Sequence, residues 1–145
     1  MTGNSKLFLF RLADALISEN KLDSAEKVLD RCYKLFPASV IPYDGMDYFY
    51  IGRTYLQCGT PTSIVKGIAR YDQYADQLIE EITYLNKFTG KKAEIVKEEK
   101  GRRYYYMNTI FQLCSMFSST LDAQYKNALD AVVQKTQPYV GTQGQ

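Results

Sequence analysis

Apolar residues recur at the helical spacing along most of this chain, and no segment alternates convincingly with period two. Leu9, Leu12, Ala13 and Leu16 fall at i, i+3, i+4 and i+7, the stripe of a helix predicted over about residues 5–19. The polar "ENK" breaks it. A second helix, over about 22–36, starts near Asp23 or Ser24 and places Ala25, Val28, Leu29 and Cys32 on one face. Pro37 and Pro42 forbid its continuation. A third, over about 45–58, repeats the spacing with Tyr48, Ile51, Gly52 and Tyr55. "CGTP" then reads as a stop and a restart. Gly59 accepts positive φ, Thr60 can cap, and Pro61 suits a first helical position.

The fourth helix is longer, about 61–88, and ends at "FTG". The fifth, about 91–117, has Tyr106, Ile110, Leu113 and Phe117 as its stripe after the charged "KKAEIVKEEKGRR". The sixth covers about 120–136. The expected fold is all-α, one domain of three stacked hairpins over 6–37, 45–88 and 91–136, with a loose tail at 137–145.

Composition narrows the class. A chain of 145 residues can bury about 68–70% of its unfolded surface. With 46% hydrophobic and 23% charged residues it should fold rather than stay disordered. Eighteen basic residues against sixteen acidic ones leave a net charge of +2, too little to argue for nucleic acid. Cys32, Cys58 and Cys114 are widely spaced and form no CxxC pair, so they read as small core residues rather than zinc ligands. No apolar run approaches the roughly 18 residues of a membrane span. "MTGNSKLFLF" lacks the long apolar region of a signal peptide. The expectation is a soluble chain, which can still be a piece of something larger.

Candidate chemistry is thin. There is no histidine, the commonest general base and metal ligand. Glu80–Glu81 and Glu98–Glu99 are adjacent pairs, which diverge on a helix and read as solvated faces. A Ser or Cys nucleophile would have no His partner. No catalytic residue, cofactor or metal site is expected. "KEEKGRRYYY", residues 97–106, could stack and neutralise nucleic acid, but acidic residues interrupt the basic ones and a helix spreads the tyrosines over different faces. It reads as a charged helix start feeding an aromatic stripe.

The first two hairpins resemble tetratricopeptide (TPR) units, helix–turn–helix repeats of about 34 residues with a sparse pattern of large and small positions. In the first, those positions hold Leu9, Leu12, Ala13, Leu16, Ala25, Leu29, Cys32 and Pro37; Leu16 stands where the pattern has an aromatic. In the second they hold Tyr48, Ile51, Gly52, Tyr55, Ile64, Ile68, Tyr71 and Asp76. Small residues let the two helices of a hairpin approach while large ones fill the space between them. Tyr71 stands where a small residue belongs, and "PASVIPYDG" lengthens the repeat distance to 39 residues. Helices 5 and 6 fit the pattern only as a degenerate capping hairpin.

The resemblance implies a short right-handed array with a concave groove. Its lining positions fall on Phe10, Asp14, Ile17, Met46, Phe49, Arg53 and Gln57. TPR domains that grip chaperone C-termini carry Lys and Asn where this chain has Phe10 and Asp14, so a carboxylate clamp is disfavoured. An apolar, mixed groove suits a helix or an extended peptide. It could equally be filled by the chain's own fourth or fifth helix. Helix 6 offers Leu121, Tyr125, Ala128, Leu129 and Val132, the face of a weak homodimer or of a packed-down cap.

"LADALISENKLDSAEKVLDRCYKLFP", "VIPYD" and "YFYIGRTYLQCG" together resemble, over about residues 6–137, the C-terminal tail of a family of multi-span membrane proteins of Bacteroidetes-type bacteria. The membrane part of that family resembles protein O-mannosyltransferases. The resemblance implies a soluble, non-catalytic tail on the periplasmic side of a bacterial inner membrane, with catalytic residues elsewhere in the parent. It implies a protein–protein interaction or scaffolding module. The alternative is a domain that binds a peptide or glycan acceptor and presents it to the parent enzyme.

Overall fold

The computed structural model describes the backbone of residues 2–35 and 45–141, and the side chains of 8–35 and 49–141. The fold is all-α: these residues form six α-helices, a closing 3-10 turn and no strand. In order they are α1 (Thr2–Ser18), α2 (Leu22–Leu35), α3 (Gly45–Cys58), α4 (Pro61–Leu85), α5 (Lys91–Ser118) and α6 (Ala123–Thr136), then the turn Gln137–Tyr139. The proline link, with Pro37 and Pro42, lies outside the described residues. Packing divides the chain into two compact units, residues 1–70 and 71–145, and the division falls inside α4. The second of the three expected hairpins therefore straddles two units.

In the first unit, α1 turns back into α2 through a left-handed residue. Asn20 has φ of 61°, a conformation asparagine tolerates better than most side chains. The amide of Lys21 donates to the carbonyl of Leu16, and that of Asn20 to Ile17, so two carbonyls at the end of α1 are satisfied. The buried face of α1 carries Phe10 and Ala13, while Leu12 of the expected stripe is exposed. α2 buries Ala25, Leu29 and Cys32 as its pattern predicts.

The α3–α4 turn follows its sequence signals. Gly59 takes φ of 77°, and the Thr60 hydroxyl accepts the amide of Ser63 at 3.1 Å, capping a helix that starts at Pro61. The two helices approach closely at Gly67: a Cβ built there would lie 3.0 Å from the carbonyl oxygen of Gly52. Gly67 thus lies against the Gly52–Leu56 turn of α3, three residues beyond the Ile64 that the repeat alignment sets opposite Gly52.

In the second unit α5 pairs with α6, and the buried side chains of α5 are Tyr104, Met107, Ile110, Cys114 and Ser118. Only Ile110 of the expected stripe is among them. The core face is rotated about a quarter turn from the aromatic stripe. Ser118 can lie inside it because its hydroxyl donates to the carboxylate of Asp130 on α6. α6 starts after Asp122, later than predicted, and buries Leu129 and Val132 within its own chain. The segment expected to be loose begins as an ordered turn, with the Tyr139 ring 6.3 Å from that of Tyr104.

Candidate functional site

The expected groove residues do not share one open surface. Phe10 is 3% exposed and its ring lies against Tyr50 at 5.8 Å, nearly parallel. Phe49 is 8% exposed. Both are buried, unlike the open groove lining expected of them, and α1 meets α3 through the Phe10 and Tyr50 rings. The guanidinium of Arg53 sits 5.3 Å above the Tyr50 ring. The structure thus brings Phe10, Tyr50 and Arg53 together. Asp14 and Ile17 are half-buried and Gln57 is exposed. The Met46 side chain lies outside the described residues.

Beside this stack the first unit holds a dense polar network. α2 presents Glu26 and Asp30 one turn apart, toward the start of α4. Lys66 donates to Glu26 at 2.7 Å and to both oxygens of Asp30, at 3.0 and 2.8 Å. The hydroxyls of Thr60 and Thr62 also donate to Glu26, and Tyr55 donates to Asp30 at 2.7 Å. Burial alone would raise the pKa of Glu26, but the hydrogen bonds from Lys66, Thr60 and Thr62 outweigh it and the value falls below the ordinary one. Burial would lower that of Lys66; its bonds to Asp30 and Glu26 raise it instead. The carboxylate also sits at the α4 N-terminus, where the helix dipole favours negative charge. With its lone pairs and charges spent internally, the network binds α2 to the α3–α4 turn. A shallow depression of about 280 Å³ beside it is lined by Asp23, Glu26, Lys27 and Asp30, of which Glu26 and Asp30 are already engaged by Lys66.

The second unit has an open groove of about 500 Å³. α4 contributes Gln77, Glu80, Glu81, Tyr84 and Leu85, which follow i, i+3, i+4, i+7 and i+8 and so line one flank; α5 contributes Arg103. Tyr84 is 59% exposed and meets Phe88 edge-on at 5.3 Å. Arg103 is held by Glu99 at 2.9 Å and more loosely by Glu81 at 3.6 Å. The hydrogen bond from Arg103, with the nearby charge of Arg102, draws the Glu99 carboxyl below its usual range. Glu80 pairs with no cation among the described residues. An apolar and aromatic floor under carboxylates, an amide and a fixed guanidinium is built for binding rather than bond-breaking.

No family model, no curated protein and no solved structure matches this chain. The sequence does not mark this groove, because Glu80 and Glu81 read there as solvated helix faces. The available signal was the polar and aromatic flank from Gln77 to Leu85, beside an apolar face carrying Tyr74, Leu78 and Ile82. The tyrosines of "RRYYY" divide as expected of a helix: Tyr104 is buried, Tyr105 exposed and Tyr106 half-buried. Among the described residues no group of three potential metal ligands gathers, and no helix is long and apolar enough to cross a membrane.

Proposed function

We propose that this chain is a helical interaction module that docks a protein or peptide through the α4–α5 groove. The observation that carries the reading is the groove itself: open, about 500 Å³, with a largely exposed Tyr84 over an apolar floor. Exposed tyrosines beside fixed polar groups are the usual anchors of recognition surfaces. The chain itself does no chemistry in this reading. The close approach at Gly67 supports a TPR-like hairpin whose second helix is shifted by three residues. In that register Tyr71 falls at an aromatic position of the repeat instead of a small one. In this reading the module sits beside a glycosyltransferase-like parent, at the periplasmic side of an inner membrane, as the resemblance to the tail of a multi-span membrane protein implies. Hydrophobic spans encoded upstream of Met1 in the genome would support that placement, and their absence would count against it.

A second reading has one observation in its favour. Tyr84 beside Gln77, Glu80 and Glu81 also suits a sugar ring, as expected of a domain that presents a glycan acceptor to its parent. Peptides selected from a random display library on the purified chain test the first reading. Tyr84→Ala should weaken them at least tenfold, about 1.4 kcal/mol, without shifting the melt. Selected peptides indifferent to Tyr84→Ala would place binding elsewhere. Saturable binding of short oligosaccharides, with no peptide selected, would favour the second reading.

A further inference from the structure

We propose that the α4–α5 groove recognises an arginine side chain presented by a partner segment, with Glu80 as the carboxylate that meets the guanidinium. The inference rests on the interaction-module reading and names the chemistry of the occupant. Its basis is the one acidic side chain in the groove with no counterion. Glu80 lies in α4, where the residues one turn away in either direction are Asp76, Gln77, Thr83 and Tyr84. None is basic, so no ion pair along the helix can neutralise it. Asp76 is already engaged by Lys135 at 2.8 Å, Glu81 by Arg103, and Glu99 by both Arg103 and Arg102. The acidic residues around Lys66 are likewise matched.

What surrounds Glu80 selects the cation. Tyr84 stands one turn further along α4, on the same flank, with its ring largely in solvent. A planar guanidinium can stack on that ring and bind a carboxylate through two parallel N–H bonds; an ammonium on a flexible stem can do only one at a time. Leu85 gives the methylenes of the same side chain an apolar bed. Anions are disfavoured, because the single positive charge of Arg103 is already shared by Glu99 and Glu81 while Glu80 and Glu81 add two negative ones. The net charge of the whole chain is +2, so its mean field repels a cationic peptide, and any affinity for one must be local.

The test is calorimetric titration of the purified chain with tetra-arginine, tetra-lysine and tetra-glutamate amides and with a neutral Leu/Phe tetrapeptide. The expected result is saturable, single-site binding of tetra-arginine, several-fold weaker binding of tetra-lysine and none of tetra-glutamate. Binding should weaken with added salt. Glu80→Gln and Tyr84→Ala should each weaken it at least tenfold with an unchanged melt, and Asp23→Asn should leave it unchanged. Equal binding of tetra-glutamate, or insensitivity to Glu80→Gln, overturns the proposal as diffuse electrostatics. If only the neutral peptide binds, and through Tyr84, the groove stands and the arginine assignment falls. If no peptide binds, both fall.

Discussion

Two glycines inside helices should respond in opposite directions to the same substitution. At Gly101 in α5 a Cβ would meet no atom within 4 Å. Alanine there loses less backbone freedom on folding, so Gly101→Ala should stabilise by about 0.5–1 kcal/mol. At Gly67 in α4 the same Cβ would lie 3.0 Å from the Gly52 oxygen, 3.0 Å from Leu56 Cγ and 3.1 Å from Tyr55 Cβ. Carbon contacts prefer about 3.5–4.0 Å. The Gly52 oxygen and Tyr55 Cβ are fixed to the backbone of α3 and cannot rotate aside. Relief requires the two helices to separate, loosening the buried Ile51, Tyr55, Ile64 and Ile68. Overpacking of this kind costs about 1–3 kcal/mol. Subtracting the helix-propensity gain from the middle of that range leaves Gly67→Ala destabilised by about 1 kcal/mol. At about 2–4 °C per kcal/mol, thermal melts followed by far-ultraviolet circular dichroism should fall by a few degrees for Gly67→Ala and rise slightly for Gly101→Ala. A Gly67→Ala melt at or above the parent's would refute the close approach, and with it the shifted register of the second hairpin.

The Lys66 network should set the pH limits of the first unit. The pKa of Glu26 is lowered on folding, so its contribution is complete above the ordinary value of 4.5 and is lost as pH falls through the lowered native value. That of Lys66 is raised, so its contribution is complete below 10.5 and is lost as pH rises through the raised native value. Urea titrations across pH should show a stability plateau between these limits, and Glu26→Gln should flatten the acid limb; an unchanged acid limb would place the titrating group elsewhere. Lys66→Met leaves the Glu26 charge without its cation and should cost about 1–3 kcal/mol, measured at neutral pH. Phe49→Ala should cost about 3–5 kcal/mol, because Phe49 is core; a melt within a few degrees of the parent would restore it to an open surface. All three thiols are buried, and burial pushes that of Cys114 up to about 12. Ellman's reagent should therefore react with none of them in the native chain and with all three in denaturant; rapid native labelling would contradict that burial.

The helices were legible in the sequence because punctuation and period agree locally. "ENK", "CGTP" and "FTG" each hold a residue with positive φ, Asn20, Gly59 and Gly90, at or next to a helix end. The faces were less legible, and the errors share a cause. On α1 the pattern favoured Leu12 over Phe10; on α5 it favoured Tyr106, Leu113 and Phe117 over Met107, Cys114 and Ser118. Periodicity ranks residues by their own hydrophobicity, whereas burial follows what the partner helix presents. Ser118 is inside because Asp130 accepts its hydrogen bond, and Phe10 because the Tyr50 ring covers it. Both partners lie on another helix, Asp130 twelve residues away and Tyr50 forty, where the periodicity of a single helix does not reach. Sites suffer more than cores. The repeat pattern located a groove by counting positions along α1 and α3, where aromatic side chains met each other. The groove beside Tyr84 arises from a polar flank that no hydrophobic stripe marks. What distinguishes Glu80 there is a pairing argument: every neighbouring acid has its cation and Glu80 does not. That is visible only once Glu81, Glu99, Arg102 and Arg103 are placed in space.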